Sequence, residues 1–230
     1  MRNVELSIRK EDTIDKAVPK VLKFQIDEIK EHYVKSINLL NEMFSTTDEL
    51  CQNEKKGQAE NIWRAQVILL VSAFDFFMHE ITKLGVSNIF EGKWEKTQRY
   101  NNISMKLEVL DVALKDGEDN DWFIEFINEQ FSKDTMVSYS YVKDQMNMLG
   151  LDIKKLANDT YYENGSTEKP NDKLKNRLNG IYSRRNLIAH QSGRMHSNAE
   201  LVEITQEMIV EYLDDVNRIV ENIIKQVKEK

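Results

Sequence analysis

One hexapeptide of this 230-residue chain holds residue types suited to handling a phosphodiester: Arg185-Asn186-Leu187-Ile188-Ala189-His190. An arginine stays protonated and presents a planar fork of donors that matches phosphate oxygens. A histidine titrates near neutrality and can move a proton to or from a reacting oxygen. Asn186 adds a neutral donor and acceptor beside them. Leu174, Leu178, Ile181, Arg185 and Ile188 recur at intervals of four and three, so on a helix they share one stripe. Arg185 thus occupies a place where an apolar side chain is expected, and a guanidinium there needs a carboxylate, a phosphate or water. A second run, WRAQVILLVSAFDFFMHEI from Trp63 to Ile81, holds a matching anomaly: Ser72, Asp75 and His79 fall on one face of an otherwise apolar segment. An unpaired buried carboxylate is nearly as unfavourable as the arginine, so the two segments are expected to pack together with Asp75 orienting Arg185. A purely structural ion pair satisfies the same pattern. His79 reads as a hydrogen-bonded packing residue, and His190 taken alone reads as a helix C-terminal cap.

Asn186 and His190 are four residues apart and face the same way on a helix. His190 lies five residues beyond Arg185, about 140° around the axis of a regular helix. Both side chains reach one phosphate only if the helix end distorts near Ser192-Gly193, or if two copies of the motif converge across a symmetric dimer. Leu187 projects away from the main apolar stripe and is a candidate for such an interface.

The elements that position these residues read as helices. The chain has only eight glycines and two prolines, with 40% hydrophobic and 31% charged residues. That balance favours long helices over many short strands. A first helix is expected from about Thr13 to Phe44, a polar hinge at Cys51–Gly57, and a central buried helix from about Gln58 to Leu84. Shorter helices are expected around Ser104–Leu114, Asp121–Phe131 and Thr135–Leu149, and an exposed loop over Asn158–Asn171. A helix carrying the motif follows, then a linker and a last helix capped by Thr205. The organisation expected is an N-terminal helical extension over residues 1–57 and a helical domain over 58–230, together forming one compact unit.

Net charge is −7, which argues against broad, non-specific binding to a polyanion. The segment Lys169–Arg194 nevertheless carries +6, leaving −13 for the remainder. Such a run serves equally as a solvated helix face, but here it surrounds the motif, and Lys175, Arg177, Arg184 and Arg194 become candidate contacts to an anionic partner, which the family resemblance described below would make RNA. Cys51 is the sole cysteine, which excludes an internal disulfide. No His/Asp/Glu set has metal-ligand spacing, and no glycine-rich phosphate loop occurs, so no cofactor is expected. The N-terminus lacks the apolar core of a signal peptide and no run is long enough to span a bilayer, so a cytoplasmic protein without a membrane partner is expected.

RNLIAH resembles the Arg-x4–6-His motif of HEPN domains in its common Arg-Asn form. Trp63–Ile81 resembles that family's apolar helix with an embedded acid, here Asp75. YVKDQMNMLGL (Tyr141–Leu151), followed by a helix reaching RNLIAH, is similar to the RiboL-PSP-type branch, and the resemblance covers roughly residues 58–229. It implies an all-α antiparallel bundle, here with additional N-terminal and inserted helices. It also implies metal-independent endoribonuclease activity, in which the 2′-hydroxyl attacks the neighbouring phosphate. His190 would move a proton, Arg185 hold the phosphate, Asn186 assist and Asp75 support. RNA, a second copy of the chain, and an antitoxin or other defence-system protein are the implied partners, in a toxin or anti-phage role. A non-catalytic HEPN module binding RNA, a nucleotide or a protein is the alternative, and a plain helical interaction protein a third. Two positions depart from relatives: Ser192 stands where some antitoxin-paired members carry tyrosine, and Gln191 precedes the glycine that elsewhere follows the histidine directly.

Overall fold

The computed structural model describes residues 21–115, 120–132, 134–195 and 197–230, which form nine helices and no strand. Helix α1 spans Ile26–Gln52. The backbone N–H of Gln25 donates to the Glu28 carboxylate at 2.7 Å, and Asp27 and Glu28 place negative charge in the first turn. The helix therefore starts at Ile26. Residues 21–25 of the expected Thr13–Phe44 helix are not helical, and its first residues, 13–20, lie outside those described. At the other end α1 continues past Phe44 to Gln52. The hinge shrinks to 53–55, where Glu54 adopts a left-handed φ of 58°.

Helix α2, Lys56–Phe90, is the spine. Val67, Leu70, Phe74, Phe77, Met78 and Ile81 are buried on it, and α1, α5, α6, α8 and α9 pack around it. Its apolar surface is not wholly covered: Leu69 and Phe76 remain largely exposed on the side facing α1 residues Leu39 and Met43. Gly85 lets another element come close, because a Cβ there would lie 2.6 Å from Leu149 Cδ2 and 2.7 Å from the Trp94 ring. Two buried polar side chains on α2 find partners: Gln66 Nε2 donates to the Leu40 carbonyl at 2.9 Å, and Lys83 pairs with Glu80 at 2.9 Å.

The one-turn α3 (Gln98–Asn101) and α4 (Leu107–Lys115) lead to α5 (Asp121–Phe131), whose bounds match the sequence reading. Helix α6, Tyr139–Leu149, starts four residues later than expected, after a turn at 134–138, and ends on Gly150 with a left-handed φ of 64°. Helix α7, Ile153–Tyr161, corrects the sequence reading, which placed its last residues in the Asn158–Asn171 loop. Asp152 caps it by accepting from the Lys154 and Lys155 N–H groups at 2.7 and 3.1 Å. Its buried residues Ile153, Leu156, Ala157, Thr160 and Tyr161 recur at helical spacing inside a polar stretch. The loop is accordingly limited to 162–169. Helix α8, Pro170–Gln191, begins with proline at its first position, where the missing N–H is harmless. Helix α9, Gln206–Lys228, is capped by Thr205 as expected, its side chain accepting from Met208 N–H. Helix α1 shares one hydrophobic core with α2 and the later helices. Among the described residues no helix is long and apolar enough to cross a membrane.

Candidate functional site

The motif lies on the last two turns of α8, which packs against α2. Leu174, Leu178, Ile181 and Ile188 are buried as the stripe requires, and Arg185 sits among them half-buried. Its Nη1 donates to Asn186 Oδ1 at 2.9 Å, and it forms no ion pair with a described residue. Asp75 and His79 share the corresponding face of α2. The direct Asp75–Arg185 contact expected from the sequence is not made. Instead Asp75 Oδ1 accepts the Met136 backbone N–H at 2.6 Å, and Oδ2 lies 3.8 Å from His79 Nε2. The carboxylate is occupied by the turn before α6 and the guanidinium by its neighbour, so the charges act on one another from beyond ion-pair distance. Burial pushes the Asp75 carboxyl upward. The Met136 N–H, His79 and the Arg185 charge pull it back without overcoming that effect. His79 Nε2 is 3.0 Å from the Asp134 carbonyl, which can only accept, so Nε2 carries the hydrogen. The packing role read for His79 agrees with this contact.

The turn at 134–138 is therefore tied to α2 through Asp75 and His79. It is also tied to α8, because Asn179 Oδ1 accepts the Tyr139 N–H at 3.2 Å and Asn171 Oδ1 accepts the Tyr139 hydroxyl at 2.8 Å. Side-chain periodicity gives no sign of this bridge, since three of its four bonds use a backbone group at or next to the turn. The two asparagines on the motif helix were the only available signal.

His190 is exposed at the end of α8 and no described residue hydrogen-bonds its ring. Helix α8 stays helical through Gln191, past both Arg185 and His190, and ends at Ser192-Gly193. The N–H groups of Ser192 and Gly193 both turn back to the Leu187 carbonyl, the latter at 3.1 Å, which widens the final turn. Ser192 and Gly193 have left-handed φ values of 52° and 75°. No hydrogen bond links His190 to Arg185. Beneath Gly193 lies Arg64, a buried arginine of α2 that sequence reading passed over. Its Nη2 donates to the Val202 carbonyl at 3.4 Å and lies 3.6 Å from Glu60. A Cβ on Gly193 would sit 3.0 Å from Arg64 Nε. Gly193→Ala is therefore expected to destabilise the protein by about 1–2 kcal/mol through the left-handed backbone alone, with the Arg64 contact adding to it. Urea denaturation checks this, and an unchanged midpoint would show that the helix end rearranges freely.

The basic residues separate into two groups. Arg177 is engaged by α9, its Nε 3.2 Å from Asp215 Oδ2 and its Nη1 3.4 Å from Glu211. Asp215 also accepts the Tyr161 hydroxyl at 2.8 Å, and burial pushes both of these groups upward. Arg177 is thus built into a packing cluster, which differs from the open RNA contact expected of it. Lys175, Arg184 and Arg194 make no ion pair with described residues, although Arg194 Nη1 donates to the Ala199 carbonyl at 2.8 Å. Among the described residues no group of three or more His, Cys, Asp or Glu side chains is gathered as a metal site.

The fold is thus a helical bundle that sets the Arg-Asn-x3-His helix against a helix with an embedded acid. The RiboL-PSP-HEPN family model matches residues 22–229, nearly all of the chain, and the protein belongs to that family. The match begins before α1, within the segment that sequence reading set apart as an extension. No curated protein and no solved structure matches the chain.

Proposed function

We propose that this protein is an endoribonuclease that cleaves RNA by transesterification without a metal ion. The observation that carries the reading is Arg185: a half-buried guanidinium in an apolar stripe, unpaired with any described carboxylate, on the same helix as an unencumbered His190. A group so placed suits an anion supplied from outside, and Lys175, Arg184 and Arg194 add positive charge on that helix and just beyond it. In the reaction the 2′-oxygen bonds to the adjacent phosphorus as the bond from phosphorus to the 5′-oxygen breaks. One end becomes a 2′,3′-cyclic phosphate and the other a 5′-hydroxyl that has gained a proton. His190 moves that proton or removes the one on the 2′-hydroxyl, and Arg185 stabilises charge on the phosphate oxygens. Asn186 holds the guanidinium through Oδ1 and keeps its amide NH2 as a donor. A toxin or anti-phage setting with a controlling partner protein belongs to the same proposal.

The test is incubation of purified protein with total cellular RNA in EDTA, with end analysis of the fragments. Cyclic phosphate ends support the reading, and intact RNA over a wide range of protein concentration refutes it.

Arg185 and His190 lie five residues apart on the helical part of α8, about 140° around its axis, with no hydrogen bond between them, so the working site combines one chain's arginine with its partner's histidine. Light scattering at micromolar concentration is expected to give about twice the 27.0 kDa chain mass. A strict monomer with and without RNA would remove the composite site.

A further inference from the structure

A cavity of about 290 Å³ opens between α3, α5 and α6, away from the motif. Phe131 and the largely exposed Tyr141 supply aromatic walls, Asn102 and Gln145 supply amides, and the Arg99–Asp144 ion pair at 2.6 Å forms part of its edge. This volume falls at the lower end of the roughly 300–1,000 Å³ typical of drug-sized ligands, so it suits one planar ring system and excludes a folded partner. Gln145 is almost wholly buried, and Thr82 Oγ1 donates to its Oε1 at 3.3 Å, which leaves its NH2 group as the donor. An aromatic face beside a fixed amide, here that of Gln145, is what an unstacked base uses in single-stranded RNA recognition, by stacking and by hydrogen bonds to its edge.

A chain of contacts runs from the cavity through Thr82 and Met136 to Asp75 on α2. Thr82, which fixes Gln145, lies two turns of α2 beyond Asp75, or about 10 Å along the helix. The turn at 134–138 runs between them, accepting from His79 and donating to Asp75. We propose that this cavity receives one unstacked base of the RNA strand whose phosphate lies at Arg185, making the substrate single-stranded at that point. The inference rests on the ribonuclease reading and adds the form of its substrate.

The experiment uses His190→Ala protein, to prevent cleavage, and a single-stranded RNA 12-mer scanned with one abasic position or one 2-aminopurine. One abasic position is expected to weaken binding by roughly 5- to 150-fold, the range of one lost base–aromatic stack. Tyr141→Ala should weaken the intact RNA by a similar factor, the two losses should not add, and Tyr141→Phe should retain binding. The 2-aminopurine at that position should be quenched only when the ring is present. Equal affinity of Tyr141→Ala and its parent for every RNA overturns the proposal, including the case in which the cavity instead takes a peptide. Cleavage by the otherwise native chain that is indifferent to Tyr141→Ala leaves the ribonuclease and removes the base site. Base-dependent retention by a chain that never cleaves does the reverse, and absence of RNA binding removes both.

Discussion

His190→Ala is expected to lower RNA cleavage by roughly 10²–10⁴-fold, the usual contribution of a positioned proton-transfer group. Its folding stability should change by no more than about 0.5 kcal/mol, as for a surface substitution away from special features. Both halves follow from one observation: the ring is exposed and bonds to no described residue. A histidine serving as a helix cap would show the opposite pattern, a lower melting temperature with cleavage per folded molecule intact. The two measurements together decide between these roles. In a composite dimer, mixing His190→Ala with Arg185→Ala should restore about a quarter of native activity at equal expression, because half the dimers are mixed and each holds one intact site. Mixtures as inactive as their components would place both residues in one chain's site.

The second large effect concerns Asp75. Its carboxyl is raised above the ordinary value of 3.8, chiefly by burial. A raised carboxyl contributes stability that is fully present below the unfolded value and is lost as pH rises through the folded one. At neutral pH the ionised form is therefore a burden on the fold. Asparagine can still accept the Met136 N–H, so Asp75→Asn should be as stable as the native chain or more stable at pH 7. The difference should shrink toward zero as pH falls to the ordinary carboxylate range. Activity should fall about 10²-fold, since the negative charge that steadies Arg185 is gone while the fold remains. Arg185→Ala combined with Asp75→Asn should cost little more activity than Arg185→Ala alone, because residues acting through one group are non-additive. Full additivity on correctly folded protein would sever Asp75 from the site.

Much of this arrangement is legible in the sequence because it is written in side-chain periodicity. The stripe Leu174, Leu178, Ile181, Ile188 fixes the buried face of α8 and makes Arg185 conspicuous, and the VILLVSAFDFF run identifies the spine. Thr205 announces α9 by capping chemistry. What is not legible depends on groups without a side-chain signature. The Met136 N–H that occupies Asp75 belongs to a turn, and no pattern of residue types shows where a backbone donor will point. Arg177 reads as a free cation because Asp215 and Glu211, which neutralise it, lie on a helix more than thirty residues away. Helix α7 is disguised by Asn158, Asp159 and Tyr162 around its end, although Ile153, Leu156, Ala157 and Thr160 keep the helical interval. Arg64 is buried by tertiary packing beneath Gly193 and the Val202 carbonyl, which no residue pattern announces.

The distance along the chain between Asp75 and Arg185 has a kinetic meaning. Helices α1 and α2 are sequence neighbours joined by a three-residue hinge, so their pairing closes almost no loop. Docking α8 on α2 closes more than a hundred residues, and that entropy is lost before any motif contact forms. The scaffold can therefore assemble while the chemistry is still absent. During synthesis the hexapeptide emerges after the spine that receives it, so the proposed site is completed only when α8 docks on α2.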